Sequence, residues 1–234
     1  MRMYVAFMAC NLAKSHWLEP AKWMYYHLID GDWASNALSW QWVAGANSNK
    51  KYIANQENIN KYFYSNQINS YLDHNYEELS KLIKPQELEE TSLLKLETPL
   101  NKINSSISIN KSKPTLIYNY YNLDPKWHID KECNRILLLE PSIFEKYPIG
   151  EKALLFAIEL SKNIPNMQVF IGEFDDLIKD NSLNKVIFKE HPLNLNYKGI
   201  QEERDWMFSL KGYYPSFFKF WNKAKKEIKS YASN

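Results

Sequence analysis

The sequence predicts a mixed fold, in which an α-helical N-terminal segment precedes a small α/β domain with a mostly parallel sheet. The first 45 residues contain three apolar stretches, and the second and third are bounded by residues that start or stop helices. From residue 115 onward, short β-rich runs alternate with helical stretches, a pattern typical of parallel sheets. Residues 85–114 contain no aromatic residue, and their second half is a low-complexity segment rich in Asn, Ser and Lys. This composition predicts a linker. The predicted boundaries are therefore 1–84, 85–114 and 115–234.

Three helices are predicted at the N-terminus. Residues 1–14 are apolar on most helical faces, which indicates a buried helix. A second helix is expected to begin near Pro20, because proline suits a first helical turn. A third is expected between Asp32, a candidate N-cap, and Gly45, a candidate stop. The Asn-rich and aromatic residues that follow predict loops with short helical pieces.

The C-terminal part is predicted to be Rossmann-like. Strands are expected at TLIYNYYNL, RILLLEP, MQVFIGEF and KVIFKEH, and helices at GEKALLFAIELSKN and PSFFKFWNKAKKEIKSYA. Ser142 and Glu145 have the spacing of a capping box. Glu140, Glu173 and Glu190 each follow a predicted strand, and we interpret them as helix caps or solvated strand ends.

Composition argues against several classes of function. Lys+Arg 29 against Asp+Glu 27 leaves a net charge of +2, which gives no electrostatic argument for nucleic acid or membrane. The chain has six glycines and no glycine-rich nucleotide motif. Two cysteines, Cys10 and Cys133, exclude a four-cysteine metal site, and the histidines lack metal-binding spacing, so no metal is expected. Low cysteine content and the absence of a long apolar run predict a cytoplasmic protein without a membrane partner.

A stripe of polar and aromatic residues lies on the third predicted helix. Asp32, Asn36 and Trp40 are spaced i, i+4 and i+8, so they share one face. A carboxylate that accepts, an amide that donates and accepts, and an indole that stacks suit a planar, redox-active ligand. Trp17, on the preceding helix, could extend an indole chain. The alternative is that Asp32 caps the helix and the tryptophans are core, because tryptophan clusters mostly serve packing.

The stretch DGDWASNALSWQW at residues 30–42 resembles the flavin-binding region of the DNA photolyase/cryptochrome family. The corresponding stretch of the family reads roughly D-G-D-x-A-x-N-x-x-x-W-Q-W, and this sequence supplies each fixed position. Arg2-Met3 and the spacing from Trp17 to the DGD motif also match, over about the first 75 residues. The resemblance implies that residues 1–84 are the C-terminal part of a photolyase-like FAD-binding helical domain.

The resemblance implies a set of residues that hold FAD. Asp30 would pair with Arg2 beside the flavin ring, and Asp32 would accept hydrogen bonds from the cofactor. Asn36 would face the flavin N5 and tune the electronics of the ring. Trp40 would complete the cofactor-binding set.

The resemblance also implies catalytic and substrate-binding residues. Trp40 would be the proximal electron donor and Trp17 the next in line, with Asn36 as the third catalytic residue. Met3 and Trp42 would line the cavity that receives a flipped pyrimidine dimer of damaged DNA.

The implied function is light-driven repair of pyrimidine dimers through FAD, a carbon–carbon lyase activity. The excited reduced flavin gives an electron to the dimer, the cyclobutane ring splits, and the electron returns. One alternative is a cryptochrome-like blue-light photoreceptor with the same pocket. The other is a catalytically silent remnant that does not bind FAD alone.

Two departures from the family pattern shape these expectations. Most of the family's flavin pocket lies N-terminal to the matched segment, so we expect a C-terminal fragment that a missing or separate N-terminal segment completes. We expect the chain alone to bind FAD weakly or not at all. The α/β domain of the family precedes the flavin-binding region, whereas here it follows, so no antenna-chromophore residue can be assigned.

The last predicted helix is rich in lysine. Lys219, Lys223, Lys225, Lys226 and Lys229 could face DNA phosphates, although a solvated helix face is the favoured interpretation. The aromatic run before and within this helix is expected to pack the helix onto the sheet, with base stacking as an alternative.

Overall fold

The computed structural model describes residues 2–46, 50–183 and 185–231. Its N-terminal half is helical. Within the described residues, no helix is both long and apolar enough to cross a membrane. The helices of this half are α1 (Arg2–Phe7), α2 (Leu18–His27), α3 (Trp33–Ala44), α4 (Gln56–Phe63) and α5 (Tyr76–Leu79).

The predicted helix boundaries at the N-terminus are close to those observed. Helix α1 continues into a π-helical turn, Met8–Leu12, and Met1 lies outside the described residues. Asp32 caps α3, because its Oδ1 accepts a hydrogen bond from the Ser35 backbone N–H at 2.7 Å. Gly45 ends α3 in the left-handed region, at φ 73°, where glycine is favoured.

Helix α3 forms the centre of the helical core. Trp40 and Val43 are fully buried, together with Ala21 of α2 and Phe7 of α1. The Asn11 side-chain Nδ2 donates to the carbonyl oxygens of Val43 at 3.0 Å and of Tyr52 at 2.7 Å. The end of α3 is therefore fixed against α1 and the following loop, which makes α3 a rigid wall for a ligand.

The C-terminal half contains a parallel five-stranded sheet, which confirms the predicted fold class. The strand order is β3-β2-β1-β4-β5, and each neighbouring pair is parallel. The strand order reverses between β1 and β4, as in other doubly wound sheets. The strands are β1 (Thr115–Tyr118), β2 (Asn134–Leu139), β3 (Met167–Ile171), β4 (Val186–Lys189) and β5 (Ile200–Glu202).

Strand burial explains which strands the sequence predicts. Strand β2 is buried along its whole length, and its residues 136–139 form a continuous apolar run. Strand β5 lies at the edge and was not predicted, because it has three residues and Ile200 and Gln201 are exposed. A short exposed strand has neither alternation nor an apolar run for a pattern to detect.

Within the described part of the C-terminal half there are four α-helices. The predicted capping box at Ser142 is wrong: the helix begins at Pro141, with Glu140 as its N-cap. Proline fits the first helical position, so Ser142 lies inside the first turn, where its hydroxyl donates to Glu173. The helices are α6 (Pro141–Lys146), α7 (Glu151–Ser161), α8 (Phe174–Asn181) and α9 (Phe217–Tyr231).

The two halves are in direct contact. The Tyr25 hydroxyl of α2 is hydrogen-bonded to the hydroxyls of Tyr120 at 2.9 Å and of Tyr121 at 2.8 Å, which follow β1. The Gly150 backbone N–H, before α7, donates to the Tyr26 carbonyl at 2.8 Å. A Cβ at Gly150 would lie 2.8 Å from that carbonyl oxygen, so the close approach of the two halves requires glycine there.

Part of the predicted linker packs against the sheet. The Thr98 hydroxyl donates to the Ile149 carbonyl at 3.0 Å and accepts from the Ile149 N–H at 2.8 Å. The Ser105 hydroxyl accepts from the Ile171 N–H at 2.8 Å. Low-complexity composition indicates little burial but does not reveal backbone contacts of this kind. The predicted boundaries 1–84, 85–114 and 115–234 stay predictions.

Candidate functional site

A cavity of about 180 Å³ lies between α1, α3 and the loop that joins α2 to α3. Ser35, Ser39 and Val43 of α3 form part of its wall. Six of the eight residues singled out in the sequence also line it, although they come from separate parts of the chain: Arg2, Met3, Asp30, Asp32, Asn36 and Trp40. The structure therefore brings most of the predicted site together in one place.

The stripe on α3 forms the floor of the cavity. Asn36 is 8% exposed and Trp40 is 1% exposed, whereas Asp32 lies at the exposed start of the helix. Asp32 caps α3 through Oδ1 and also lines the cavity, and its role toward a cofactor stays a prediction. A solvated carboxylate, a buried amide and a buried indole thus follow one another from the mouth of the cavity inward.

The Asn36 amide is held in one orientation. Its Nδ2 donates to the Ala21 carbonyl of α2 at 2.8 Å, a buried hydrogen bond between two helices. Because a buried amide that loses its partner is costly, this bond fixes the side chain and the packing of α2 on α3. A preorganised amide of this kind can direct polar atoms at a ligand without first being ordered.

Arg2 and Asp30 form a bidentate ion pair at the rim. The Arg2 Nη2 is 2.7 Å from Oδ1 and 2.8 Å from Oδ2 of Asp30. The hydrogen bond from Arg2 holds the pKa of the Asp30 carboxyl below its ordinary value. The two side chains remain mostly exposed, so the pair contributes little to stability and mainly orients the guanidinium.

The two other predicted residues do not line this cavity. Trp17 is half-buried and packs against the helical core that contains Trp40. Trp42 is 51% exposed, and its ring centre lies 5.4 Å from that of Tyr52. Residues two positions apart on an α-helix are separated by about 200° around its axis, so Trp42 faces away from the Trp40 side of α3. The structure does not bring Trp42 together with Met3, and the roles of Trp17 and Trp42 stay predictions.

Residues 1–106 match the family model described as the FAD binding domain of DNA photolyase. This part of the chain is similar to that domain. Comparison with curated proteins and with solved structures gives no match to the chain. The family match covers every residue of the cavity and ends before β1. The similarity to the photolyase FAD-binding domain is thus confined to the helical half and the start of the predicted linker.

The cavity includes residues that sequence reasoning missed. Ser35 and Ser39 lie beside the Asp32 stripe, and the Ser39 hydroxyl donates to the Ser35 carbonyl at 2.9 Å. Their positions at i+3 and i+7 from Asp32 were the available signal, because such residues flank the same helical face. Leu28 and Ala6 also line the cavity, but they come from other segments and only tertiary packing reveals them.

The chemistry of the cavity suits a flavin ring better than the whole of FAD. Pockets that enclose cofactors are usually about 300–1,000 Å³, larger than this one of about 180 Å³. Its lining includes two carboxylates, Asp30 and Asp32, against one cation, Arg2, which disfavours a diphosphate. Buried Trp40 and Asn36 instead offer an aromatic surface and an amide, which fit a planar ring with polar edges.

The glutamates at the sheet edge have structural roles. Glu140 accepts from the Phe174 N–H at 3.1 Å, and Glu173 accepts from the Ser142 N–H at 3.0 Å, so each serves the start of the other's helix. Burial raises the pKa of Glu140. Glu190 accepts from Arg204 at 3.0 Å. These contacts support the interpretation of the three residues as caps and strand ends.

Proposed function

We propose that the helical half holds the flavin ring of FAD in a photolyase that repairs pyrimidine dimers in DNA with light. One observation carries the proposal: residues that match the family motif, from α1, the α2–α3 loop and α3, line a single cavity. Such convergence is not expected from a tryptophan cluster that serves packing alone.

Three side chains that line the cavity would each contribute to the chemistry of the flavin. Bound FAD would supply light absorption and the electron that splits the dimer. Asn36 would present its fixed amide to the ring edge, and Asp32 would accept hydrogen bonds from ring or ribityl donors. Trp40 is buried beside Asn36, so its indole would donate an electron from a site without water.

We propose that a further photolyase segment completes the site. The cavity of about 180 Å³ can enclose the ring but not the adenosine and diphosphate. Cations for the diphosphate would come from an N-terminal segment, on the same chain or on a separate one. This view is consistent with weak binding of FAD by the chain alone.

The substrate side of the proposal rests on Met3. Its side chain is 37% exposed and lines the cavity next to Arg2, so it would contact a flipped dimer at the mouth. A dimer pushed out of the DNA helix needs an apolar contact at the mouth of the cavity, and Met3 offers one.

A cryptochrome-like photoreceptor is the second candidate. It is favoured by Trp42, which is exposed on the side of α3 away from the cavity and therefore does not contribute a wall for the dimer. A photoreceptor needs the flavin and the electron donor Trp40, but it does not need a dimer pocket.

A repair assay distinguishes the candidates. The chain, complemented by the N-terminal photolyase segment, is incubated with an oligonucleotide that contains one thymine dimer, in blue light and in darkness. Repair that requires light is the expected result, and Met3→Glu should abolish it without loss of FAD. Flavin photoreduction without repair would support the photoreceptor, and loss of both would indicate a silent remnant.

A further inference from the structure

Helix α9 and the loop before it form an open groove on the α/β half, remote in sequence from the flavin cavity. The groove has a volume of about 760 Å³. It is lined by lysines and tyrosines, among them Lys211, Tyr213, Tyr214, Lys219, Lys223 and Lys226. We refer to it as the basic groove.

The lysines of the basic groove lie on one face of α9. Lys219, Lys223 and Lys226 are spaced i, i+4 and i+7, so their side chains project from the same side of the helix, and all three are exposed. Glu227 accepts hydrogen bonds from the Ser209 N–H at 3.0 Å and hydroxyl at 2.6 Å, and it does not line the groove. Lys229 lies outside the residues whose side chains are described. The groove therefore presents a row of positive charge.

Aromatic rings lie on the same side as this charge. Tyr213 is 88% exposed, which leaves both faces of its ring open to a partner. Tyr214 is anchored, because its ring centre is 5.3 Å from that of Phe220, and the Lys223 Nζ lies 5.3 Å from its centre. The Tyr214 ring, held next to the Lys223 ammonium, and the exposed Tyr213 ring together form a surface on which bases can stack.

We propose that the basic groove binds single-stranded DNA, with Lys219, Lys223 and Lys226 on phosphates and Tyr213 stacked on a base. The row of lysines is complementary in charge to a polyanion. The exposed Tyr213 ring can stack only on a ligand whose own aromatic ring is accessible. In duplex DNA the base faces are covered by their neighbours, whereas a single strand offers both features.

A membrane surface is the competing partner. A membrane-bound amphipathic helix inserts an apolar face opposite its lysines. On α9 the side chains of Phe217 and Trp221 are 65% and 37% exposed and do not line the basic groove, so such a face is present. Single-stranded DNA is the favoured occupant because the tyrosines line the groove beside the lysines, where bases can stack on them. Vesicles are therefore an arm of the test.

The experiment is a fluorescence anisotropy titration of labelled oligothymidylate with the full chain, in darkness and without FAD. Replacement of Lys219, Lys223 and Lys226 by glutamine should weaken binding by at least about tenfold, since three phosphate contacts are lost. The slope of log affinity against log salt should fall by about 2, because each contact to a single strand contributes about 0.7. Tyr213→Ala should weaken binding while the salt slope stays unchanged, which separates stacking from charge.

A charge-matched variant provides the control. Lys126, Lys152 and Lys179 are exposed lysines outside the groove, and their replacement by glutamine should leave affinity and salt slope near wild type. Equal weakening by both triple variants would overturn the proposal, and so would tighter binding to duplex DNA or binding only to phosphatidylserine vesicles. Neither FAD nor light enters this assay, so its failure would leave the flavin proposal standing.

Discussion

In the chain completed by the N-terminal photolyase segment, replacement of Asp32 by alanine is expected to weaken the binding of FAD by about tenfold to a hundredfold, because a polar group of the ligand loses its acceptor. The same change removes the N-cap of α3, which should lower the free energy of unfolding by about 0.5–2 kcal/mol. The two effects arise from one carboxylate, whose Oδ1 accepts from Ser35 at 2.7 Å while the residue lines the cavity. Flavin fluorescence anisotropy measures the first effect and urea unfolding measures the second.

Asp32→Ser separates the two roles. Serine is a good N-cap, so stability should return close to wild type, whereas its short side chain should not reach the cofactor. Recovery of FAD affinity together with stability would mean that Asp32 acts only by holding the helix. Wild-type affinity in Asp32→Ala would remove Asp32 from the cofactor site altogether.

Replacement of Trp40 by phenylalanine is expected to slow photoreduction of bound flavin severely, with little change in FAD affinity. Trp40 is 1% exposed, so Trp40→Ala should cost about 3–5 kcal/mol of stability through the cavity that it leaves. Phenylalanine keeps an aromatic ring in the core and costs less, which makes it the variant for kinetics. The measurement is the light-driven loss of oxidised-flavin absorbance at saturating FAD.

Trp206→Phe is the matched control for this experiment. Trp206 is 44% exposed and lies outside the helical half, with the Arg204 guanidinium 4.5 Å from its ring centre. Its replacement should leave photoreduction unchanged. If Trp40→Phe is reduced at the wild-type rate, Trp40 is a packing residue and the electron enters by another path.

Much of the fold follows from local signals in the sequence. Asp32 and Gly45 mark the ends of α3. The Asp32 side chain accepts a hydrogen bond from the first helical turn, and Gly45 adopts the left-handed backbone conformation that ends the helix. Strand β2 is recognisable because both faces are buried. The start of α6 was misplaced because Ser142 matches a cap pattern, whereas its hydroxyl is used by Glu173 from another loop. A short sequence motif does not identify hydrogen-bond partners that are distant in the sequence.

The candidate site was predictable in its residues but not in its shape. The spacing of Asp32, Asn36 and Trp40 defines one helical face, and the family resemblance adds Arg2 and Asp30. The hydrogen bond from Asn36 to α2 and the contribution of segments outside α3 depend on how helices pack, which spacing does not specify. The same limit explains Trp42, which matches the motif but lies on the outer side of α3.

Fluorine NMR of the full chain labelled with fluorotryptophan tests the flavin site most directly, because it detects weak as well as tight binding. Trp40 is assigned from its missing resonance in Trp40→Phe, and Trp206 serves as the reference far from the motif. We expect the Trp40 resonance to shift saturably as FAD is added, while the Trp206 resonance stays in place. A Trp40 resonance that does not move while FAD perturbs other tryptophans would contradict a flavin site beside α3.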